Sequence, residues 1–152
     1  MAAMQSNSDF EEILLAFNTA GVKYLVVGAY AVAAHSRPRA TGDIDLWVKT
    51  GADNSRRVLR ALAAFGAPME HIDEQTFCEA DIVLQIGVPP IRIAILTGID
   101  GISFDEAWPN RVPSTVGKAP THVLGRLDLI RNKKASGRAK DLADLARLER
   151  DG

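Results

Sequence analysis

The stretch Asp43-Ile44-Asp45-Leu46, fifteen residues beyond Gly28, constrains this chain more than any other. Successive side chains of a strand point to opposite faces, so residues at i and i+2 share one face. Asp43 and Asp45 therefore project side by side, while Ile44 and Leu46 turn into a core. Paired carboxylates on a rigid strand suit a hard divalent cation that takes oxygen ligands. Before them, Lys23 to Val27 reads as a buried strand, and a helical segment runs from Ala29 to about His35. A glycine where a strand feeds a helix lets the backbone approach a phosphate, and the first turn offers free N–H groups.

The other segments supply what such a strand must pack against. Ser8 and Glu11 have capping-box spacing, and Phe10, Ile13, Leu14 and Phe17 follow with helical periodicity up to Gly21. Arg37 to Gly42 is a loop ahead of a strand from Asp43 to Val48, and Asn54 to Phe65 carries another helical stripe. Strands are expected at Ile82 to Ile86 and Ile91 to Leu96, joined by the turn Gly87-Val88-Pro89-Pro90. A second capping box, Ser103 to Glu106, opens a short helix through Trp108. Arg111 to Val123 reads as short extended pieces around Gly117, and helices at about Gly125 to Ala135 and Lys140 to Arg150 close the chain. This order predicts an α/β (α+β) fold, a mixed sheet flanked by helices with a short helical C-terminal portion. Residues 1–152 are read as a single domain.

Composition narrows the setting. The chain has 47% hydrophobic and 24% charged residues and a net charge of −1, so no general pull towards nucleic acid arises. Its basic residues nevertheless cluster between Arg126 and Arg150. No apolar run approaches the roughly 18 residues that span a bilayer, and the first residues do not read as a signal peptide. One cysteine, Cys78, excludes an internal disulfide and any metal site built on cysteine clusters, which makes a reducing cytoplasm the simplest setting. His35, His71 and His122 show no ligand spacing, and Trp47 and Trp108 are read as packing residues.

Phosphate donors at one corner and metal ligands on the next strand together point to a nucleoside triphosphate. Val27-Gly28-Ala29, thirteen residues, then Asp43-Ile44-Asp45-Leu46 resembles the signature of the DNA polymerase β-like nucleotidyltransferases. The likeness extends through Val26 to Val48, Val83 to Trp108 and Asn132 to Leu148, and is similar to small bacterial toxins of the AbiEii type. It implies transfer of a nucleoside monophosphate from a triphosphate to an acceptor. Asp43 and Asp45 would hold Mg2+ or Mn2+, with Gly28 and Ala29 cradling phosphate. Arg39, Thr41, Lys133, Arg138 and Lys140 would add nucleotide contacts. The Lys133 to Lys140 run also fits a solvated helix–helix corner capped at Gly137.

Two positions depart from the pattern. Ala29 replaces a second glycine or serine, which leaves the backbone donor in place. Ala94, in Arg92-Ile93-Ala94-Ile95-Leu96, stands where relatives would carry a third carboxylate, a ligand and base for the acceptor hydroxyl. Asp81 is the one conceivable substitute. Three readings follow. The likeness favours a toxin of a toxin–antitoxin pair that modifies RNA such as tRNA, with an antitoxin chain or a second copy as partner. Ala94 favours a non-catalytic nucleotide-binding or regulatory subunit. The third is a small-molecule modifier such as an antibiotic nucleotidyltransferase.

Overall fold

The apolar stripe of Phe10, Ile13, Leu14 and Phe17 forms one face of α1 (Ser8–Ala20), and all four side chains are fully buried. This computed structural model describes residues 8–37, 41–87 and 91–151. Ser8 already lies inside α1, and the residues before it lie outside the described residues. β1 (Tyr24–Val27) is buried along its whole length and runs directly into α2 (Gly28–Ala34). β2 (Asp43–Val48) follows, with Ile44 and Leu46 fully buried and both aspartates half-buried. α3 (Ala52–Phe65) starts two residues before the expected Asn54, and it packs against α1.

β3 (Val83–Ile86) and β4 (Arg92–Leu96) come next, then α4 (Phe104–Ala107), whose capping box at Ser103 and Glu106 forms as its spacing predicts. The stretch read as extended pieces around Gly117 is an antiparallel hairpin of β5 (Val112–Val116) and β6 (Ala119–Val123). Prolines mask its strand pattern in the sequence, although β6 buries Ala119, Thr121 and Val123 in alternation. Pro113 is tolerated because β5 is an edge strand, and Pro120 lies clear of the Val26↔Val123 register point that joins β6 to β1. α5 (Arg126–Ser136) and α6 (Ala139–Asp151) pack as a pair.

One mixed sheet with strand order β3-β4-β2-β1-β6-β5 organises the molecule. β1 pairs with β2 antiparallel, and β2 pairs with β4 parallel. Directly opposed residues of paired strands share a face. The register therefore lays Val27, Asp45, Ala94 and Gln85 in one row across four strands, with Asp43 and Arg92 opposed nearby. The fold thus delivers its acidic pair to the corner where β1 becomes α2.

At the other end of these strands a buried amide supplements the backbone bond from the Lys49 N–H to the Lys23 carbonyl. Asn54 accepts from the Lys23 N–H (2.8 Å) and donates to the carbonyls of Lys23 (3.0 Å) and Lys49 (2.7 Å). Trp47 is 2% exposed and meets Phe104 edge-to-face, and Trp108 stacks on Phe104, so both tryptophans pack as their sequence reading predicts. Replacing Asn54 by alanine removes all three bonds and leaves the Lys23 N–H and the Lys49 carbonyl without this partner, while the Lys23 carbonyl keeps its bond from the Lys49 N–H. Asn54→Ala should cost about 1–3 kcal/mol, measured by urea unfolding.

Candidate functional site

Gly28 has φ +70°, a backbone conformation that disfavours any residue with a Cβ. Space is short as well, and a side chain there would force Asp45 to move. A Cβ on Gly28 would stand 2.1 Å from Asp45 Oδ2 and 3.0 Å from its Cγ. The phosphate-type corner and the acidic pair therefore touch, which neither segment reveals alone.

A cavity of about 360 Å³ opens over this contact, lined by Ala29, Asp43, Asp45, Arg92, Arg138 and Lys140 among others. Its outer wall carries Val83, Gln85, Ala94 and Leu96 from β3 and β4. A smaller cavity of about 160 Å³ shares Ala29, Asp45, Arg138 and Lys140 and adds Gly28, Asp100 and Lys133. The two form one cleft, with carboxylates on the sheet and cations arriving from the α5–α6 corner. Another cavity, about 400 Å³, lies at the opposite end of β1 and β2 beside Lys23, Lys49 and Arg57. Its chemistry is poorer: Lys49 is spent on Asp105, Arg57 on the Gly21 carbonyl, and Asp53 is its one carboxylate.

The basic wall is held by a buried ion cluster. Lys133 is 4% exposed, and its Nζ lies 3.2 Å from both Asp141 Oδ1 and Asp144 Oδ2. Asp141, fully buried, also accepts from the Arg138 backbone N–H and from Arg138 Nε at 2.8 Å. Gly137 ends α5 in a left-handed conformation, which turns the chain so that Arg138 returns onto Asp141. The Asn132 amide donates to the Asp100 carbonyl, and Ser136 donates to the Asp100 carboxylate, which ties the β4–α4 loop to α5 beside the cleft.

The expected site residues divide accordingly. Gly28, Ala29, Asp43, Asp45, Arg138 and Lys140 converge on the cleft. Lys133 reaches its wall with its charge engaged by two carboxylates. Thr41 lines neither cavity; its hydroxyl donates to the Asp43 carbonyl and accepts from the Asp43 N–H, fixing the start of β2. Arg39 lies outside the described residues. Asp81, the expected substitute, is exposed and abuts Gly98, and it lines neither part of the cleft. His35 has a structural role, its Nε2 meeting the Leu124 carbonyl at 2.7 Å. Arg92 and Asp100 are the additional residues. The opposed register of β2 and β4 discloses Arg92, and no local motif discloses Asp100.

Burial, and then the neighbouring Asp43 charge, push the Asp45 carboxyl above its ordinary range, while Lys140, Lys133 and Arg92 act in the opposite direction. A bound cation would relieve both raising causes. Asp43 and Asp45 fit one Mg2+ or Mn2+, which characteristically takes one or two carboxylates and completes its shell with phosphate oxygens and water. Among the described residues no group of three or more His, Cys, Asp or Glu side chains could hold an ion, in keeping with Ala94 beside Asp45.

No family profile and no curated protein matches the chain. Solved structures do. A lincosamide antibiotic adenylyltransferase, lincomycin-bound, superposes with TM-score 0.62 at 12% identity, covering 95% of this chain and 96% of that one. A candidate nucleotidyltransferase from Thermotoga maritima gives 0.57 at 15% identity, with 93% and 90% covered. An antigenic nucleotidyltransferase-like protein from Paracoccidioides brasiliensis gives 0.51 at 15%, with 95% and 75% covered. The chain thus has the nucleotidyltransferase fold.

The ion cluster has a pH signature. The Arg138 hydrogen bonds, then Lys133, lower the Asp141 carboxyl from 3.8 to about 2 despite its burial. A lowered native pKa stabilises the fold above the unfolded value, and that stability is lost as pH falls through the native one. Wild type should lose stability between about pH 4 and pH 2 in urea titrations. Asp141→Asn should show a shallower dependence over the same interval.

Proposed function

We propose that the chain binds a magnesium– or manganese–nucleoside triphosphate in this cleft and transfers its nucleoside monophosphate to an acceptor hydroxyl. The carrying observation is the contact of Gly28 with Asp45, which joins a phosphate-approach corner to a metal-ligand pair. Asp43 and Asp45 would hold the ion, and Arg138 and Lys140 would neutralise phosphate charge from the opposite wall. The backbone of Gly28 and Ala29, at the start of α2 and on the wall of the cleft, would offer N–H groups to phosphate oxygens. The ion would supply charge neutralisation and polarisation of the reacting phosphorus. In the transfer, the acceptor oxygen bonds to the α-phosphorus, the bond from that phosphorus to the α–β bridging oxygen breaks, pyrophosphate leaves with its electron pair, and the hydroxyl proton passes to solvent.

Ala94 sets the rate in this reading. It opposes Asp45 in the sheet, where a carboxylate would take the acceptor's proton, so transfer by this form is slow. A purely nucleotide-binding or regulatory role is the limiting case.

RNA such as tRNA is the acceptor favoured by the resemblance to AbiEii-type toxins, in a cytoplasmic toxin–antitoxin setting with an antitoxin chain or second copy as partner. A small hydroxyl-bearing molecule is the second reading. The superposition on a lincosamide adenylyltransferase over nearly the whole of both chains favours it. So does the apolar edge of the cleft, where Val83 is 59% exposed beside Leu96.

Incubation with each labelled triphosphate, magnesium, and either total RNA or small alcohols tests these readings. Ala94→Asp should speed label transfer by about 10²–10⁴, the usual worth of a positioned general base. Asp43→Asn and Gly28→Ala should each abolish metal-dependent nucleotide binding. Unchanged affinity in both variants would refute the reading.

A further inference from the structure

Arg92 is not one of the residues that the signature assigns, yet among the described residues it forms an ion pair with Asp43. Its Nε donates to Asp43 Oδ1 at 3.0 Å and its Nη2 to Asp43 Oδ2 at 3.4 Å. Both oxygens of one expected metal ligand are therefore engaged by a guanidinium. The pair is accessible, the side chains being 39% and 45% exposed, and Arg92 lines the same cavity as Arg138 and Lys140. Its Nη1 carries no partner among the described residues. The opposed register of β2 and β4 sets this contact, so it is a feature of the sheet and not of a loop.

A divalent ion on Asp43 must take an oxygen that now accepts from Arg92, and it must do so beside a like charge. A triphosphate changes that balance, because its oxygens offer the fork a second anionic partner with suitable geometry. We propose that Arg92 is an exchangeable counter-ion: it holds Asp43 until metal and triphosphate arrive together, then passes to the triphosphate. Metal alone binds weakly, nucleotide alone binds weakly, and each strengthens the other through one side chain. This inference rests on the metal–nucleotide reading of the cleft.

The test measures Mn2+ binding by paramagnetic resonance, with and without a non-hydrolysable triphosphate. Arg92→Gln should bind Mn2+ alone about three- to fivefold tighter, the scale of a half-exposed ion pair, and should bind the triphosphate with Mn2+ more weakly than wild type. Arg92→Lys, which keeps the charge but not the fork, should fall between; it decides the matter if the glutamine variant fails to fold by circular dichroism. Unchanged or weaker Mn2+ affinity in these variants overturns the exchange. So does an equal tightening in Arg138→Gln, which would reduce the effect to the general field of the cleft. Asp43→Asn separates the two levels: if it binds Mn2+ as well as wild type, the metal site itself falls, and the exchange with it.

Discussion

No side chain separates the β1–α2 corner from Asp45, and the rest of the site is arranged around that absence. A Cβ at position 28 would lie inside bonding range of a carboxylate oxygen, so the strand-to-helix turn and the acidic strand meet only through glycine. The antiparallel pairing of β1 with β2 brings Val27 opposite Asp45, and the parallel pairing of β2 with β4 brings Ala94 to its other side. Site geometry is thus a property of sheet register. A one-residue slip would turn both aspartates into the core and bring Ile44 and Leu46 to the cleft.

Charge is distributed with the same economy. Two carboxylates on a half-buried strand face repel one another, and cations reach their cleft from two directions. Arg92 approaches along the neighbouring strand, while Arg138 and Lys140 come from the corner between the two closing helices. Arg138 remains 71% exposed although bound to Asp141, so it is oriented without being withdrawn from the cleft. Lys133 of α5 bridges the buried carboxylates of Asp141 and Asp144, and this ties α5 to α6. Removing one member of such a buried cluster would leave an uncompensated charge, which is costlier than the cluster's own net worth.

What the sequence discloses, and what it hides, follows from range. The stripe of Phe10, Ile13, Leu14 and Phe17 and the alternation of Asp43 to Val48 are local periodicities, and both translate directly into elements. The signature residues Gly28, Ala29, Asp43 and Asp45 are also readable, since one strand and one turn position them. The opposition of Arg92 to Asp43 is not, because it depends on a strand forty-nine residues away. Lys133 reads as a free basic residue until α6 folds back and delivers Asp141 and Asp144 to it. The β5–β6 hairpin is obscured for a simpler reason: Pro113 and Pro120 mask the pattern that marks strands, yet each sits where the ladder can spare a donor.

A crystal grown with Mn2+ and a non-hydrolysable nucleoside triphosphate, measured at the manganese absorption edge, reads the central claim directly. The anomalous peak should lie within about 2.0–2.2 Å of oxygens from both Asp43 and Asp45, with phosphate oxygens against the Gly28–Ala29 backbone. A peak and nucleotide in the cavity beside Lys23, Lys49 and Arg57, with Asp43 still bound to Arg92, would contradict it.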